Sequence, residues 1–462
     1  MSNIALSQDE QTIVAQSTPA GAGALALIRL SGIDAISIAD KFIQLPSKKK
    51  LDSLDSHTVH YGKIIDQHGK VIDQVMAILL KAPKTFTGQN TIEISCHNNP
   101  FIIEAIIEQA LAHGARVAQQ GEFSKRAVLN DKIDLIQAEA IKEVIHAQSK
   151  YVLQQSLAQL EGSFSHWIAD IEKNLLHCIA LSEASFEFID EEMDFGKQIQ
   201  PRIEKIIADI EESQKTFDIQ QQIREGLRIA LIGSVNAGKS SLFNAILNKN
   251  RAIVTNIAGT TRDSIEAGVY RNNFHVTFVD TAGLRETDNV IEQHGIDRSL
   301  QEAQQADIIL LVADSSQELS SQEQTVYQQL HDRYSTKIIT VTTKADLKTS
   351  NTPKNALFED SIKTSSTTKV NLNLLEQAID SKIAQLVATL ESPFLLNKRQ
   401  FNLLTTLKQQ LTTVASTMGS GIDFELLSFH LKEALEDVSE LSGKTITQDS
   451  MDAIFKEFCI GK

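Results

Sequence analysis

The run Gly233-Ser-Val-Asn-Ala-Gly238-Lys239-Ser240 follows the pattern G-x4-G-K-[ST] and constrains the fold more than any other stretch of this 462-residue chain. The spacing works only where a strand delivers the chain into a tight turn and a helix carries it out, because the backbone N–H groups there must all point at one anion. Both flanks are present: Leu227–Ile232 is an apolar run of strand length, and a helical segment starts near Ser240. The glycines let N–H groups curl around a β-phosphate, Lys239 reaches the β- and γ-phosphates, and the Ser240 hydroxyl binds Mg2+. Nucleotide contacts are therefore expected at Asn236, Ala237, Gly238, Lys239, Ser240 and Ser241, with Lys239 also catalytic.

Two switch-like segments follow in chain order. Thr255, Asn256, Ile257, Ala258, Gly259, Thr260 and Thr261 form a polar loop, and the Thr261 hydroxyl is the candidate to complete the Mg2+ shell when a γ-phosphate is present. Asp280, Thr281, Ala282 and Gly283 then close the strand candidate His275–Val279, placing a carboxylate near the metal and a flexible N–H near the γ-phosphate. After another strand candidate, Lys337–Val341, comes Thr343-Lys344-Ala345-Asp346. Asp346 can accept from guanine N1–H and the exocyclic amine, which adenine does not offer. The usual guanine motif is N-K-x-D; Thr343 keeps a hydroxyl but loses the amide's second polar group, so a weakened guanine preference is expected, and an ATPase reading stays open. Ser365, Ser366 and Thr367 occupy the place of the final S-A-[KR] loop.

Hydrolysis needs an oriented water and a cation for the charge that builds between the β- and γ-phosphates. In many small GTPases a glutamine follows D-T-A-G, but Leu284 stands there, and an apolar side chain cannot align water. Glu286 is the nearest carboxylate on that switch and is the candidate catalytic group. The cation is either an arginine finger or a monovalent ion held by the Asn236 carbonyl with backbone oxygens between Thr255 and Thr260.

From Leu227 to about Leu386, short apolar runs alternate with helical segments, the pattern of a parallel sheet covered by helices. Residues 1–125 mix β-rich runs such as Ala24–Leu30 and Val75–Leu80 with the helix-like Phe101–Ala112, and read as a compact α/β domain. Residues 126–224 and 387–462 carry apolar side chains at three- and four-residue spacing. The fold class expected is thus multidomain α/β plus all-α, with the domain at 225–386 inserted into a discontinuous helical one; two unrelated helical pieces are the alternative. A net charge of −15 argues against a diffuse basic surface that coats nucleic acid. Three scattered cysteines suggest neither a disulfide framework nor a zinc site, and no run approaches the roughly 20 apolar residues of a membrane span, so a cytoplasmic location is expected.

The chain resembles, end to end, the bacterial tRNA-modification GTPase family MnmE (TrmE) within the TrmE-Era-like GTPases. The matching stretches include Ile28-Arg-Leu-Ser-Gly32, Gly121-Glu-Phe-Ser124, Leu129-Asn-Asp-Lys-Ile-Asp-Leu135, Ile257-Ala-Gly-Thr-Thr-Arg-Asp263, Asp280–Glu286 and the terminal Phe458-Cys-Ile-Gly-Lys462. The resemblance implies an N-terminal tetrahydrofolate-binding and dimerisation domain, a discontinuous helical domain and an inserted Ras-like P-loop domain. It names K+ as the monovalent ion, with contacts at Asn236, Thr255, Ile257 and Thr260, and Mg2+ at Ser240 and Thr261. It also implies a homodimer, tRNA as substrate, and an FAD-containing partner, MnmG (GidA), in a heterotetramer or larger complex. That assembly builds an aminomethyl or carboxymethylaminomethyl group at C5 of the wobble uridine, using 5,10-methylene- or 5-formyl-tetrahydrofolate.

By the same resemblance Arg29, Glu93, Lys132 and Lys462 contact folate, and Cys459 is a candidate for the modification chemistry, with a small packed residue as the alternative. Basic groups suit a glutamate tail and a carboxylate suits a pterin N–H edge. Two departures fall in this domain: Ala22 stands where the family usually has arginine, and Asn98-Asn99 replace the glycine pair usually following His97. A regulatory GTPase that reads RNA without chemistry of its own would share the phosphate motifs but has no use for a folate domain or the terminal Cys-Ile-Gly-Lys.

Overall fold

The computed structural model describes residues 11–187, 195–249, 265–280, 300–347, 356–388, 392–418 and 424–461. They fall into two compact units, one made of residues 1–142, 158–204 and 403–462 and the other of 143–157 and 205–402.

The first unit is built on a seven-stranded sheet of β1 (Ile13–Gln16), β2 (Leu25–Ser31), β3 (Ile43–Gln44), β4 (Thr58–Ile65), β5 (Val71–Leu80), β6 (Thr91–His97) and β7 (Arg116–Val117), in the order β3-β4-β5-β6-β2-β1-β7. All pairs are antiparallel except β1 with β7. Alternation sends Ile28, Leu30, Leu79, Ile92 and Ile94 into a core closed by Phe42 and by Ile103 and Ile106 of the helix Pro100–Ala112. The Asn98-Asn99 departure has a local function: Asn99 caps that helix by accepting from Phe101 N–H, and Asn98 Nδ2 donates to the Gly21 carbonyl at 2.7 Å. In the helical part of this unit, Leu427, Leu431, Ala434, Val438 and Leu441 form the buried stripe of the helix Phe424–Ser442. It packs along Ser163–Glu187, tied by Ser182 Oγ donating to Phe424 O at 2.8 Å and by Lys444 pairing with Glu172 at 2.6 Å.

The second unit carries a six-stranded sheet of β8 (Leu227–Gly233), β9 (Ile265–Arg271), β10 (Phe274–Asp280), β11 (Ile308–Asp314), β12 (Ile338–Thr343) and β13 (Ile362–Lys363), in the order β13-β12-β11-β8-β10-β9. Every pair is parallel except β9 with β10. Side chains alternate between two layers: Leu227, Ile229 and Leu231 meet the helices Lys239–Lys249 and Leu372–Ala388, while Ala230 and Ile232 meet Tyr327 and Leu330 of Ser321–Tyr334. Strand β9 is absent from the expectations above, although Asn272-Asn273, both with positive φ of 49° and 69°, spell a two-residue hairpin turn.

The entry and exit of this α/β region are laced together. Gln220 and Gln221, on the helix Phe217–Glu225 just before β8, donate to the carbonyls of Phe394 and Leu396 at 2.9 and 3.0 Å, and the Phe217 and Phe401 rings stack at 3.9 Å. An inserted domain requires this juxtaposition. The segment before the helix Lys150–Leu160 also joins this sheet: Ser149 bridges Phe274, His275 N–H donates to Gln148 O, and Lys150 N–H donates to Asn273 O.

Candidate nucleotide and folate sites

β8 ends at Gly233 beside β11, where an added Cβ would lie 2.2 Å from the Val312 carbonyl, so only glycine passes. The loop then turns through Asn236 and Gly238, with φ of 63° and 87°, into the helix starting at Lys239. Tyr327 supports its start: the phenol accepts from Ser234 N–H at 2.7 Å and donates to Val312 O at 3.0 Å. Nothing near the loop in sequence marks Tyr327, which sits 93 residues downstream.

The Lys239 ammonium donates to the Gly233 and Ser234 carbonyls, both at 2.7 Å. Burial pulls its pKa down, and the charge of Asp280 opposes that shift. Asp280 ends β10 in register with Leu231 of β8 and is 1% exposed. Ser240, Ser241 and Asn236 are exposed. A positively charged lysine, a left-handed glycine-containing loop at a helix N-terminus and a nearby carboxylate suit a nucleotide phosphate with its Mg2+.

Thr343 ends β12 and is 2% exposed. Its hydroxyl lies 2.5 Å from Ala237 O and 3.2 Å from Ala313 O. Lys344, at φ 58°, pairs with Asp314 at 2.6 Å. Burial raises the Asp314 pKa, but Lys344 and the Ser316 donors outweigh it and hold the carboxyl below its ordinary value. Ala345 N–H donates to Thr364 O, which brings the turn beside Ser365, Ser366 and Thr367. Asp346 and Thr367 are exposed and Ser365 is buried. The structure thus gathers the phosphate loop, Asp280, the 343–346 turn and the 365–367 loop at the C-terminal ends of the parallel strands. Thr255, Asn256, Ile257, Ala258, Gly259, Thr260, Thr261, Thr281, Ala282, Gly283 and Glu286 lie outside the described residues.

In the first unit, Arg29 of β2 and Glu93 of β6 are cross-strand partners, with Arg29 Nε 2.8 Å from Glu93 Oε1. The guanidinium also reaches Gly461 O at 3.5 Å and lies over the Phe86 and Phe123 rings at 5.8 and 5.5 Å. The C-terminal motif is pressed against this sheet. Ile460 bridges Gln120, and a Cβ on Gly461, at φ 88°, would sit 2.3 Å from Gln16 O. Cys459 is exposed. Lys132 lies beside the turn after Phe86: its Cε is 2.9 Å from a Cβ built on Gly88, and it lines a cleft of about 400 Å3 with Gln137, Glu172 and Lys444. Lys462 lies outside the described residues. Arg29 and Glu93 are 64 residues apart and Gly461 lies 432 beyond Arg29, and only the resemblance pointed to the first two.

Residues 12–132 match the model of the GTP-binding protein TrmE N-terminus, and residues 135–459 match the MnmE helical domain. A tRNA modification GTPase MnmE of Lachnoclostridium phytofermentans is 36% identical over 459 residues, covering 98% of this chain and 99% of that relative. The Bacillus subtilis protein of the same description is 36% identical over 462 residues, covering 98% of this chain and 100% of the relative. Among solved structures, the G domain of the Thermotoga maritima FeoB iron transporter aligns with 34% of this chain and 98% of its own at 24% identity and a TM-score of 0.26. With two family models in tandem and full-length relatives at this identity, the chain belongs to the tRNA modification GTPase family MnmE.

Proposed function

We propose that this GTP hydrolase is activated by K+ and works with an FAD-dependent MnmG (GidA) partner to install an aminomethyl or carboxymethylaminomethyl group at C5 of the wobble uridine of tRNA, drawing its carbon from a tetrahydrofolate derivative. The observation that carries the reading is the convergence of Lys239, Asp280, the left-handed loop at Asn236–Gly238 and the 343–346 turn at one end of a parallel sheet. In this reading Lys239 and the loop N–H groups bind the phosphates, Ser240 and Thr261 hold Mg2+, and Asn236 with Thr255, Ile257 and Thr260 holds K+. The metal ions supply positive charge where it builds on the phosphate oxygens. Glu286 orients water, and Asp346 reads guanine with the loop at 365–367 behind it.

Arg29, Glu93, Lys132 and Lys462 form the proposed folate contacts, supported by the Arg29–Glu93 pair and by the C-terminal segment seated beside it. A homodimer is proposed through the N-terminal domain, 1–125. The outward face of its sheet exposes Val59, Tyr61, Met76 and Leu25, side chains with more to gain from a partner than from water. Among the described residues no helix is long and apolar enough to cross a membrane, and a cytoplasmic location is proposed. The domain spans 126–224, 225–386 and 387–462 complete the organisation we propose.

Nucleoside analysis of wobble uridine in tRNA from cells lacking this chain tests the reading. Loss of the C5 group, restored by the intact gene and not by a Lys239→Ala variant, is the expected result. Unchanged modified uridine overturns it.

A further inference from the structure

The proposed base-reading turn and phosphate loop are joined by a single side chain. Thr343 sits at the end of β12 with its hydroxyl 2.5 Å from Ala237 O, inside the phosphate loop, and 3.2 Å from Ala313 O on β11. Its side chain fills the space under Gly238, where an added Cβ would meet Thr343 Oγ1 at 3.1 Å and Thr343 Cβ at 3.3 Å. The residue is 2% exposed, whereas Asp346, three positions on, is exposed. A hydroxyl has one proton to give. Two carbonyls compete for it, and Ala237 O in the phosphate loop is the nearer.

We infer that Thr343 is a positioning residue for the phosphate grip and not a reader of the base. Guanine choice then rests on Asp346, while the register of the Ala237–Gly238 backbone, and so the aim of the N–H groups at a phosphate, rests on the Thr343 hydroxyl. The asparagine usual in the motif carries two amide protons and can serve both carbonyls. With one proton, this chain shares a single donor between two carbonyls, and its nucleotide is bound more loosely and exchanged faster than an asparagine would allow. The inference rests on the GTPase reading of this site.

The test uses the full chain with GDP and with IDP, which lacks the exocyclic amine. Thr343→Val keeps the shape and removes the hydroxyl; it should weaken GDP binding roughly tenfold, the cost of leaving one buried carbonyl unsatisfied. Thr343→Ser should restore binding to within about twofold, and Thr343→Asn should tighten it and slow GDP release. Throughout, the GDP-to-IDP ratio should stay at its wild-type value, whereas Asp346→Asn should collapse it. The 31P resonance of the bound β-phosphate should move in Thr343→Val and not in Asp346→Asn, a signature that general loosening of the fold does not give. A GDP-to-IDP ratio that falls in Thr343→Val overturns the inference, because the side chain then touches the base. Unchanged GDP affinity in that variant also overturns it. If the wild-type chain binds ATP as well as GTP, or binds neither, the GTPase reading itself fails, a result distinct from both.

Discussion

The phosphate loop and the Arg29–Glu93 cluster each present a buried or half-buried cation, but they spend its charge differently. The Lys239 ammonium is held by two neutral carbonyls, Gly233 O and Ser234 O, so it keeps its charge for an incoming anion. The Arg29 guanidinium is neutralised by Glu93, and the two are 15% and 17% exposed. A phosphate gains directly from the first arrangement. A ligand of the second must either bring both a donor and an acceptor edge or separate a formed pair. One site is assembled for anions; the other is near neutral and suits an amphipathic, two-faced molecule.

The largest effect that would break this contrast is at Lys239. Lys239→Ala should lower GTP turnover by about a hundred- to a thousandfold, as expected when one preorganised positive contact to the reacting phosphates is lost; single-turnover assays would check it, and a loss under tenfold would mean the cation is not reserved for phosphate. Next comes Glu286→Ala. Turnover should fall about a hundredfold while GDP affinity, measured by fluorescence titration, stays within twofold, and an unaltered rate would mean that another group orients the water. In the other region Gly461→Ala should dislodge the C-terminal segment, since its Cβ has nowhere to go at 2.3 Å from Gln16 O. Modified-uridine levels should drop severalfold with GTP hydrolysis intact; equal loss of both would show that the two regions are not separable. The smallest effect is energetic: Arg29→Leu leaves Glu93 half-buried without its partner and should cost about 2 kcal/mol by urea unfolding. The double variant Arg29→Leu, Glu93→Leu should recover most of that loss. Equal losses in single and double variants would show that the pair is not coupled.

Turnover in KCl against NaCl probes the ion proposed at Asn236. The rate should rise sharply in KCl, and equal rates would remove K+ from the mechanism.

The two regions also differ in how far sequence alone exposes them. The phosphate loop is legible because its chemistry is local: a strand, two glycines, a lysine and a helix start in one short run, with β8, β10 and β12 falling within two residues of their expected bounds. The limits of that locality are visible at Tyr327 and Thr343. Tyr327 is an ordinary helical residue until folding brings its phenol to Ser234. Thr343 belongs to a motif defined by the base, while its hydroxyl faces the phosphate loop. Strand β9 was missed although Asn272-Asn273 announce its turn. The Arg29 cluster is a long-range product of sheet pairing. No spacing rule joins residues 29, 93 and 461, and only the antiparallel register of β2 on β6 puts the first two side by side.

β10 has neighbours on both sides: β9 pairs with all seven of its residues and β8 with Val276–Asp280. Asp280 stands at one end. At the other, His275 and Asn273 hold the segment Gln148–Lys150 through main-chain bonds. A strand clamped in this way resists bending. Seven residues at ~3.3 Å each make its reach roughly 20 Å. Asp280 and the start of the helix Lys150–Leu160 are therefore joined through one strand and its main-chain bonds, without a side-chain relay among the described residues.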